Sequence, residues 1–239
     1  MNRKKINFAL IGLGGYIAPK HIEAIKKNKC QLICSLDIND SVGFIEKYFP
    51  NSDFFTEIAR FDRYIDKISR TKNKINFLTI CSPNYLHDSH IRFGLRSKAH
   101  VICEKPLVIN PWNLDAIEKM QKEYKRNVYS INQLRLHPSI IKLKNKLKNS
   151  NVIHDVDITY ISPRGNWYQY SWKGDDNKSG GLLYNIGIHL FDLINYLFGD
   201  VEKTKLYYAS RKCYSGYVRL KKANVRYFLS IDENHLNFL

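Results

Sequence analysis

Residues 6–18 read INFALIGLGGYIA, and this stretch decides the fold. The apolar run 6–11 predicts a buried strand, which leads into Gly12, Gly14 and Gly15 before a helix that begins at Ala18. Glycines at such a turn let the backbone approach a pyrophosphate, which the helix N-terminus attracts. Ala18 comes one position too late to complete a strict G-x-G-x-x-G, so a simple turn is the alternative. In this strand–turn–helix setting the pattern favours a dinucleotide-binding domain.

The rest of the first half alternates short apolar runs with helical patterns. Predicted strands are 6–11, 31–36, 76–81, 100–103 and 128–131, and predicted helices are 18–27, 42–48, 57–69, 85–97 and 113–126. Such alternation is typical of a parallel sheet with helices on both faces. In this architecture ligands bind at the carboxyl ends of the strands.

The second half has a different pattern. It predicts a helix over 136–147, a strand over 152–161, a polar aromatic loop over 164–175, a helix over 182–198, and strands over 203–210, 216–220 and 225–231. Short turns between the last strands favour a mostly antiparallel arrangement. We therefore expect an α/β protein: a Rossmann domain with a doubly wound parallel sheet over 1–132, then an α+β domain with a mostly antiparallel open sheet over 133–239.

The composition is that of an ordinary globular chain. Of the 239 residues, 44% are hydrophobic and 25% are charged. No apolar run is long enough to span a bilayer. The basic start, 1–5, resembles that of a signal peptide, but glycines interrupt the following apolar run and no cleavage site follows. We expect a cytoplasmic protein without membrane insertion.

The formal net charge of +16 raises the question of a nucleic-acid partner. The lysines are spread over most predicted helices, and no arginine-rich arm, helix-turn-helix or zinc-finger signature is present. We interpret the charge as a solvated surface that can attract an anionic nucleotide substrate, not as a nucleic-acid site. The five cysteines lack zinc-ligand spacing, and we expect neither a metal nor disulfides.

Two residues suggest oxidation of an alcohol. Lys105 ends an apolar run just before Pro106, where an ammonium group can stabilise a developing alkoxide. His189 can accept the hydroxyl proton, and Asn185 lies four residues before it on the same predicted helix face. The alternatives are a solvated strand-end lysine and a structural histidine.

Further polar residues follow the predicted strands. Asp37 comes after the second strand, about 20 residues beyond the glycines, where a carboxylate binds a ribose hydroxyl and disfavours NADP. Ser82, Asn84 and His87 follow the strand 76–81 and face the cofactor in a doubly wound fold. The alternatives are that Asp37, Ser82 and Asn84 cap helices and that His87 is structural.

Two motifs resemble those of the Gfo/Idh/MocA oxidoreductase family. Its E-K-P stands as Glu104-Lys105-Pro106, and its G-G-x-L-x-D-x-G-x-H-x-x-D runs over 180–192 with Asn185 in place of the aspartate. The resemblance implies a Rossmann domain followed by an α/β domain with an open sheet, and a catalytic centre of Lys105 and His189. Asn185 then holds the substrate or orients His189.

Other segments resemble the WlbA/WbpB group, the UDP-N-acetyl-2-amino-2-deoxyglucuronate 3-dehydrogenases of bacterial surface polysaccharides. They are 8–12, 15–19, 37–41, 80–87 and 164–168. This resemblance implies NAD-dependent oxidation at C3 of the UDP-sugar in lipopolysaccharide O-antigen synthesis, with 2-oxoglutarate regenerating NAD⁺. It also implies a homo-oligomer, a dimer or tetramer.

The resemblance assigns the remaining site residues. Those expected at the cofactor are Gly12, Gly14, Gly15, Tyr16, Ile17, Asp37, Ile38, Asn39, Asp40, Ser82, Asn84, His87, Glu104, Lys105, Gln133 and Trp172. Those expected at the substrate are Lys105, Arg135, Arg164, Tyr168, Ser171, Lys173, Asn185 and His189. For Trp167 and Trp172, packing beneath the loop is the alternative.

The sequence stops at Asn237-Phe238-Leu239, where the WlbA/WbpB group continues through further strand and helix. The competing functions are another Gfo/Idh/MocA dehydrogenase acting on a sugar or polyol, and a truncated, non-catalytic NAD-binding relative. A nucleic-acid binder ranks behind both.

Overall fold

The computed structural model describes residues 5–238, and for Phe238 only the backbone. The chain divides into two compact units, with the division between Ile131 and Asn132. No helix within the described residues has the length and apolar character needed to cross a membrane. The basic start of the chain, apart from Lys5, and Leu239 lie outside the described residues.

The first unit is built on a parallel sheet, which within residues 5–238 has six strands in the order β3-β2-β1-β4-β5-β6. The strands are β1 (Asn7–Ile11), β2 (Gln31–Leu36), β3 (Asp53–Phe55), β4 (Phe77–Ile80), β5 (His100–Cys103) and β6 (Val128–Ser130). The order reverses between β1 and β4, which makes their carboxyl ends the switch point where ligands bind. The predicted doubly wound sheet is confirmed.

Helices follow most of these strands. They are α1 (Ala18–Lys27), α2 (Ile58–Ser69), α3 (His87–Arg96) and α4 (Asn113–Tyr124). Two buried clusters pack on the sheet: one includes Phe61, Ile91 and Val101, and the other includes Leu10 and Ile22. Helices thus cover both faces, as the unbroken apolar runs of the strands require.

The structure of this unit differs from the sequence prediction at two places. The segment expected to be a helix over 42–48 is a 3₁₀ helix, Gly43–Lys47. The short strand β3 was not predicted, because three residues at the edge of a sheet are too few to show a period.

The second unit contains a four-stranded sheet, counted within residues 5–238, in the order β7-β10-β9-β8. Its strands are β7 (His154–Ile161), β8 (Val201–Ala209), β9 (Cys213–Leu220) and β10 (Ala223–Ser230). The pairs β8–β9 and β9–β10 are antiparallel, while β10 pairs with β7 in parallel. The expected mostly antiparallel open sheet is therefore confirmed.

The helices of this unit are α5 (Pro138–Lys148), α6 (Trp167–Tyr170), α7 (Asp176–Ser179) and α8 (Ile188–Phe198). The segment 164–175, predicted as a loop, holds the four-residue α6 and a 3₁₀ turn, Trp172–Gly174. The helix predicted over 182–198 is also divided: a π-helical turn, Leu183–Gly187, precedes α8. A π turn frequently marks a functional site.

The edge strand β8 differs from the other strands of the second sheet in its exposure. Every residue of β8 is exposed, including Leu206, Tyr207 and Tyr208. In β9, by contrast, Cys213, Val218 and Leu220 are buried. The core of this unit therefore forms on β9 and β10, not on the edge strand β8.

Candidate active site

The glycine-rich turn brings two backbone segments together. Gly12 has a φ of +89°, and a Cβ on it would lie 2.5 Å from the carbonyl carbon of Cys81. A Cβ on Gly15 would lie 2.9 Å from the Cys81 oxygen. The Gly15 N–H donates to the Gly12 oxygen (3.0 Å), and α1 begins at the buried Ala18. The turn thus has the shape that a pyrophosphate-binding turn requires.

Asp37, which directly follows β2, is bonded to this turn. One carboxylate oxygen accepts the Gly14 N–H at 2.8 Å, and the other accepts the Asn39 N–H at 2.9 Å. These bonds stabilise the loop after β2, so Asp37 does not cap a helix. Beside it, Ile38 is 93% exposed, and Tyr16 on the glycine turn is 88% exposed. Both side chains are accessible to a ligand, and their predicted contact with the cofactor stays a prediction.

The loop after β4 lies against the glycine turn. The Ser82 hydroxyl contacts His90 Nδ1 at 2.9 Å, and Asn84 is buried at the start of a 3₁₀ turn. Leu86, which directly precedes α3, makes no side-chain cap bond, and the Ser82 hydroxyl is bonded to His90 instead. Whether Asn84 caps the helix or contacts the cofactor stays a prediction.

His87 is fully buried and connects two loops. Its Nδ1 lies 2.6 Å from the Pro106 carbonyl oxygen and its Nε2 lies 2.8 Å from that of Ser82. Burial lowers the pKa of His87. These contacts match the structural alternative, since the ring holds the loop after β4 to the loop after β5; direct contact with a cofactor stays a prediction.

Glu104 and Lys105 follow β5 directly. Glu104 Oε1 lies 2.7 Å from Nε2 of His21 on α1, and both side chains are only 14% exposed. Burial raises the pKa of the Cys81 and Cys103 thiols, and the charge of Glu104 adds to both effects. Lys105 is half-buried and joined to Pro106 by a cis peptide bond. Sequence reasoning missed His21, because no local pattern indicates a partner 83 residues away.

Within the first unit, the predicted cofactor residues therefore gather at the carboxyl ends of β1, β2, β4 and β5. A backbone cradle that a Cβ would fill, a carboxylate after β2 and a largely buried Glu104 suit a dinucleotide. The residues present fit NAD. The roles of the individual residues stay predictions.

In the second unit, Asn185 lies in the π-helical turn and His189 in the first turn of α8. Asn185 Nδ2 donates to the Tyr168 hydroxyl at 3.2 Å. Tyr168 is only 4% exposed and belongs to a core cluster with Leu182 and Leu229. Tyr168 thus supports Asn185 from a buried position, and its predicted contact with substrate stays a prediction.

Arg135 also makes contacts that the sequence did not indicate. Its Nε donates to Asp192 Oδ2 at 2.8 Å, its Nη2 to Oδ1 of the same carboxylate, and Asn132 adds a third bond at 3.1 Å. The bidentate pair raises the pKa of Arg135. Arg135 is thereby anchored on α8, and its predicted contact with substrate is not tested by these bonds.

A cationic, aromatic group lies around α6. Lys173 Nζ lies 5.5 Å from the ring centre of Trp167 and 5.8 Å from that of Trp172. Burial lowers the pKa of Lys173, and the charge of Arg164 lowers it further. The Ser171 hydroxyl donates to the Tyr168 carbonyl at 2.9 Å, whereas Gln133 is exposed. Arg164 and Lys173 together can attract an anion.

Comparison with protein families identifies both units. Residues 6–132 match the Gfo/Idh/MocA oxidoreductase family, NAD-binding Rossmann fold. Residues 145–230 match the C-terminal alpha/beta domain of the same family.

Solved structures show the same relationship. The WlbA (WbpB) dehydrogenase from Thermus thermophilus, in complex with NAD and alpha-ketoglutarate, is 42% identical with a TM-score of 0.92, covering 96% of this chain and 74% of that chain. The same enzyme in complex with NAD and UDP-GlcNAcA is 42% identical with a TM-score of 0.93, and the match covers 97% of this chain and 75% of that chain.

Curated relatives are more distant and more varied. Glucose-6-phosphate 3-dehydrogenase of Bacillus subtilis is 28% identical over 82% of this chain and 54% of its own length. The 2,7-anhydro-N-acetylneuraminate hydratase of Escherichia coli is 25% identical over 88% of this chain and 54% of its own length. The chain thus spans about half the length of these relatives. It belongs to the Gfo/Idh/MocA oxidoreductase family, and its N-terminal domain is an NAD-binding Rossmann domain.

Proposed function

We propose that the protein is an NAD-dependent dehydrogenase that oxidises the C3 hydroxyl of UDP-N-acetyl-2-amino-2-deoxy-D-glucuronate to the 3-keto sugar nucleotide. The observation that carries the proposal is the 42% identity, over almost the whole chain, to a dehydrogenase that binds NAD and UDP-GlcNAcA. The product serves the synthesis of lipopolysaccharide O-antigen. The active protein is a cytoplasmic homo-oligomer, a dimer or tetramer.

The proposed chemistry divides between two side chains. Bound NAD⁺ supplies the hydride acceptor. His189 accepts the proton of the C3 hydroxyl as the general base, the role that histidine fills most often in enzymes. The Lys105 ammonium donates a hydrogen bond to the same oxygen and stabilises the negative charge that develops there. Asn185, held by the Tyr168 hydroxyl, orients His189 or holds the sugar.

The substrate is anionic, and the second unit supplies cations for it. Arg164 and Lys173 lie close enough for the charge of one to lower the pKa of the other. Two like charges disfavour each other, and a carboxylate or diphosphate between them relieves that repulsion. We assign these two residues, with Ser171 and Arg135, to the carboxylate and diphosphate of the substrate.

The decisive experiment measures NADH absorbance after the purified chain is mixed with NAD⁺ and UDP-N-acetylglucosaminuronate. Because a relative binds alpha-ketoglutarate together with NAD, a parallel reaction contains 2-oxoglutarate. We expect NADH in the first reaction and 2-hydroxyglutarate in the second. If NAD⁺ binds but neither product forms, the proposed activity is wrong for this chain.

A second candidate function follows from the varied curated relatives, which include a glucose-6-phosphate 3-dehydrogenase and a hydratase. In that case the chain acts on a different sugar or polyol. NADH formed with glucose 6-phosphate but not with the UDP-sugar would favour this candidate. NAD⁺ binding without turnover on any sugar would favour a non-catalytic relative.

A further inference from the structure

The mechanism proposed above does not use the contact between His21 and Glu104. The two residues lie 83 positions apart, yet their side chains meet at 2.7 Å and are only 14% exposed. Fixing a carboxylate in one rotamer costs side-chain entropy, and burying it costs solvation. A hydrogen bond to a charged group at this distance offsets both costs.

The strand register places Glu104 beside the glycine turn. Ile11 pairs with Ile80, and Ile80 pairs with Cys103. The next residues, Gly12, Cys81 and Glu104, therefore lie side by side at the carboxyl edge of β1, β4 and β5. Neighbouring strands are about 4.8 Å apart, so Glu104 is roughly 10 Å from the glycine turn.

The position of Asp37 after β2 sets the orientation of a dinucleotide along this edge of the sheet. A dinucleotide whose ribose binds Asp37 would have that half over β2, on one side of the glycine turn. Its nicotinamide half would extend the other way, over the ends of β4 and β5, toward Glu104. His21 lies on the first turn of α1, just after the glycine turn. Its bond to Glu104 therefore connects the start of α1 with the end of β5.

We propose that His21 is a positioning residue that holds the Glu104 carboxylate toward the nicotinamide and thereby favours NAD⁺ over NADH. The nicotinamide ring is positively charged in NAD⁺ and neutral in NADH. A fixed carboxylate nearby stabilises the charged form selectively, because its interaction depends on that charge. The inference rests on the proposed function only through the use of NAD, not through the identity of the sugar.

The experiment measures the dissociation constants of NAD⁺ and NADH by calorimetry on the full chain, without sugar. His21→Leu removes the donor, whereas His21→Gln keeps an N–H that can reach Glu104. Lys27→Gln, at the exposed end of α1, is the control. We expect His21→Leu to weaken NAD⁺ binding about tenfold and NADH binding less than about threefold. His21→Gln stays within about threefold of the parent for both forms.

Three results would overturn the inference: unchanged NAD⁺ affinity in His21→Leu, equal weakening for both cofactor forms, or a loss in His21→Gln as large as in His21→Leu. Should His21→Leu fail to fold, His21→Ala removes the donor in its place, and Glu104→Gln tests the charge of the carboxylate, because its amide keeps the shape without the charge. Both variants must then lose NAD⁺ affinity selectively. Since no sugar is present, failure of the proposed dehydrogenase activity leaves this result unaffected.

Discussion

At the scale of single residues, the glycine turn depends on the absence of side chains at two positions. Gly12 has a positive φ, and both Gly12 and Gly15 leave room for the backbone of Cys81. The sequence predicted the turn because glycines between a strand and a helix are visible locally. It did not predict that the neighbouring segment is Cys81-Ser82, since the pairing of β1 with β4 is a long-range event.

Gly12→Ala tests this close approach. The new Cβ would overlap the Cys81 carbonyl group in a backbone conformation that costs an L-residue of order 1–3 kcal/mol. We expect a clear fall in melting temperature and a loss of NAD⁺ affinity. Gly43→Ala is the matched control, because a Cβ there meets no atom within 4 Å. Equal melting temperatures for the two variants would contradict this account of the turn.

Lys105→Met tests the assignment of the ammonium group to the developing alkoxide. Methionine keeps the length of the side chain but cannot donate a hydrogen bond. We expect turnover to fall about 10²-fold or more, as for loss of a donor to developing negative charge. Binding of NAD⁺, measured by calorimetry, stays close to that of the parent. Turnover at the parent rate would remove Lys105 from the mechanism.

At the scale of elements, most helices and strands could be predicted because their apolar periods are local. The π-helical turn Leu183–Gly187 could not, because an apolar helix pattern does not show where one residue is inserted. Two side-chain contacts were also not predicted: the bond between Asn185 and Tyr168, and the ion pair of Arg135 with Asp192. In each case residues from separate elements meet only after the chain has folded.

Tyr168→Phe tests whether α6 supports the π-helical turn. Asn185 Nδ2 loses its hydroxyl acceptor in a buried place, so we expect the free energy of unfolding to fall by about 1–2 kcal/mol. Tyr170→Phe is the control on the same helix, since Tyr170 is 92% exposed. The measurement is urea unfolding of both variants. An equal effect of the two changes would show that the bond contributes nothing to stability.

At the scale of the whole molecule, the sequence predicted two architectures in one chain because their apolar patterns differ. Continuous apolar runs separated by helices gave the parallel sheet, and short runs joined by tight turns gave the second sheet. The parallel pairing of β10 with β7 escaped prediction, since strands far apart in sequence carry no local sign of their direction.

Stability should depend on pH through His90. Burial lowers its pKa from 6.5 to about 4, and the charge of His87 adds to the effect. Between these values the unfolded chain binds a proton that the folded chain does not, so stability is full above pH 6.5 and falls as the pH drops toward 4. The full loss is about 3 kcal/mol.

Urea unfolding at a series of pH values checks this. His90→Gln should flatten the pH dependence in that window, whereas His137→Gln, which changes an exposed histidine, should leave it steep. The same steepness in both variants would assign the effect to other groups, including His87, whose pKa burial also lowers.

The exposed strand β8 has a consequence for how the protein tolerates mutation. In a library of all single substitutions, we expect β8 to accept most changes if the protein works as a single copy. A strand with no buried face contributes little to stability or register through its side chains. If a second copy covers the strand, Leu206, Tyr207 and Tyr208 become intolerant although each is more than half exposed in the isolated unit. The tolerance profile of nine consecutive residues, compared with that of β9, would thus map an assembly surface without any structure of the assembly.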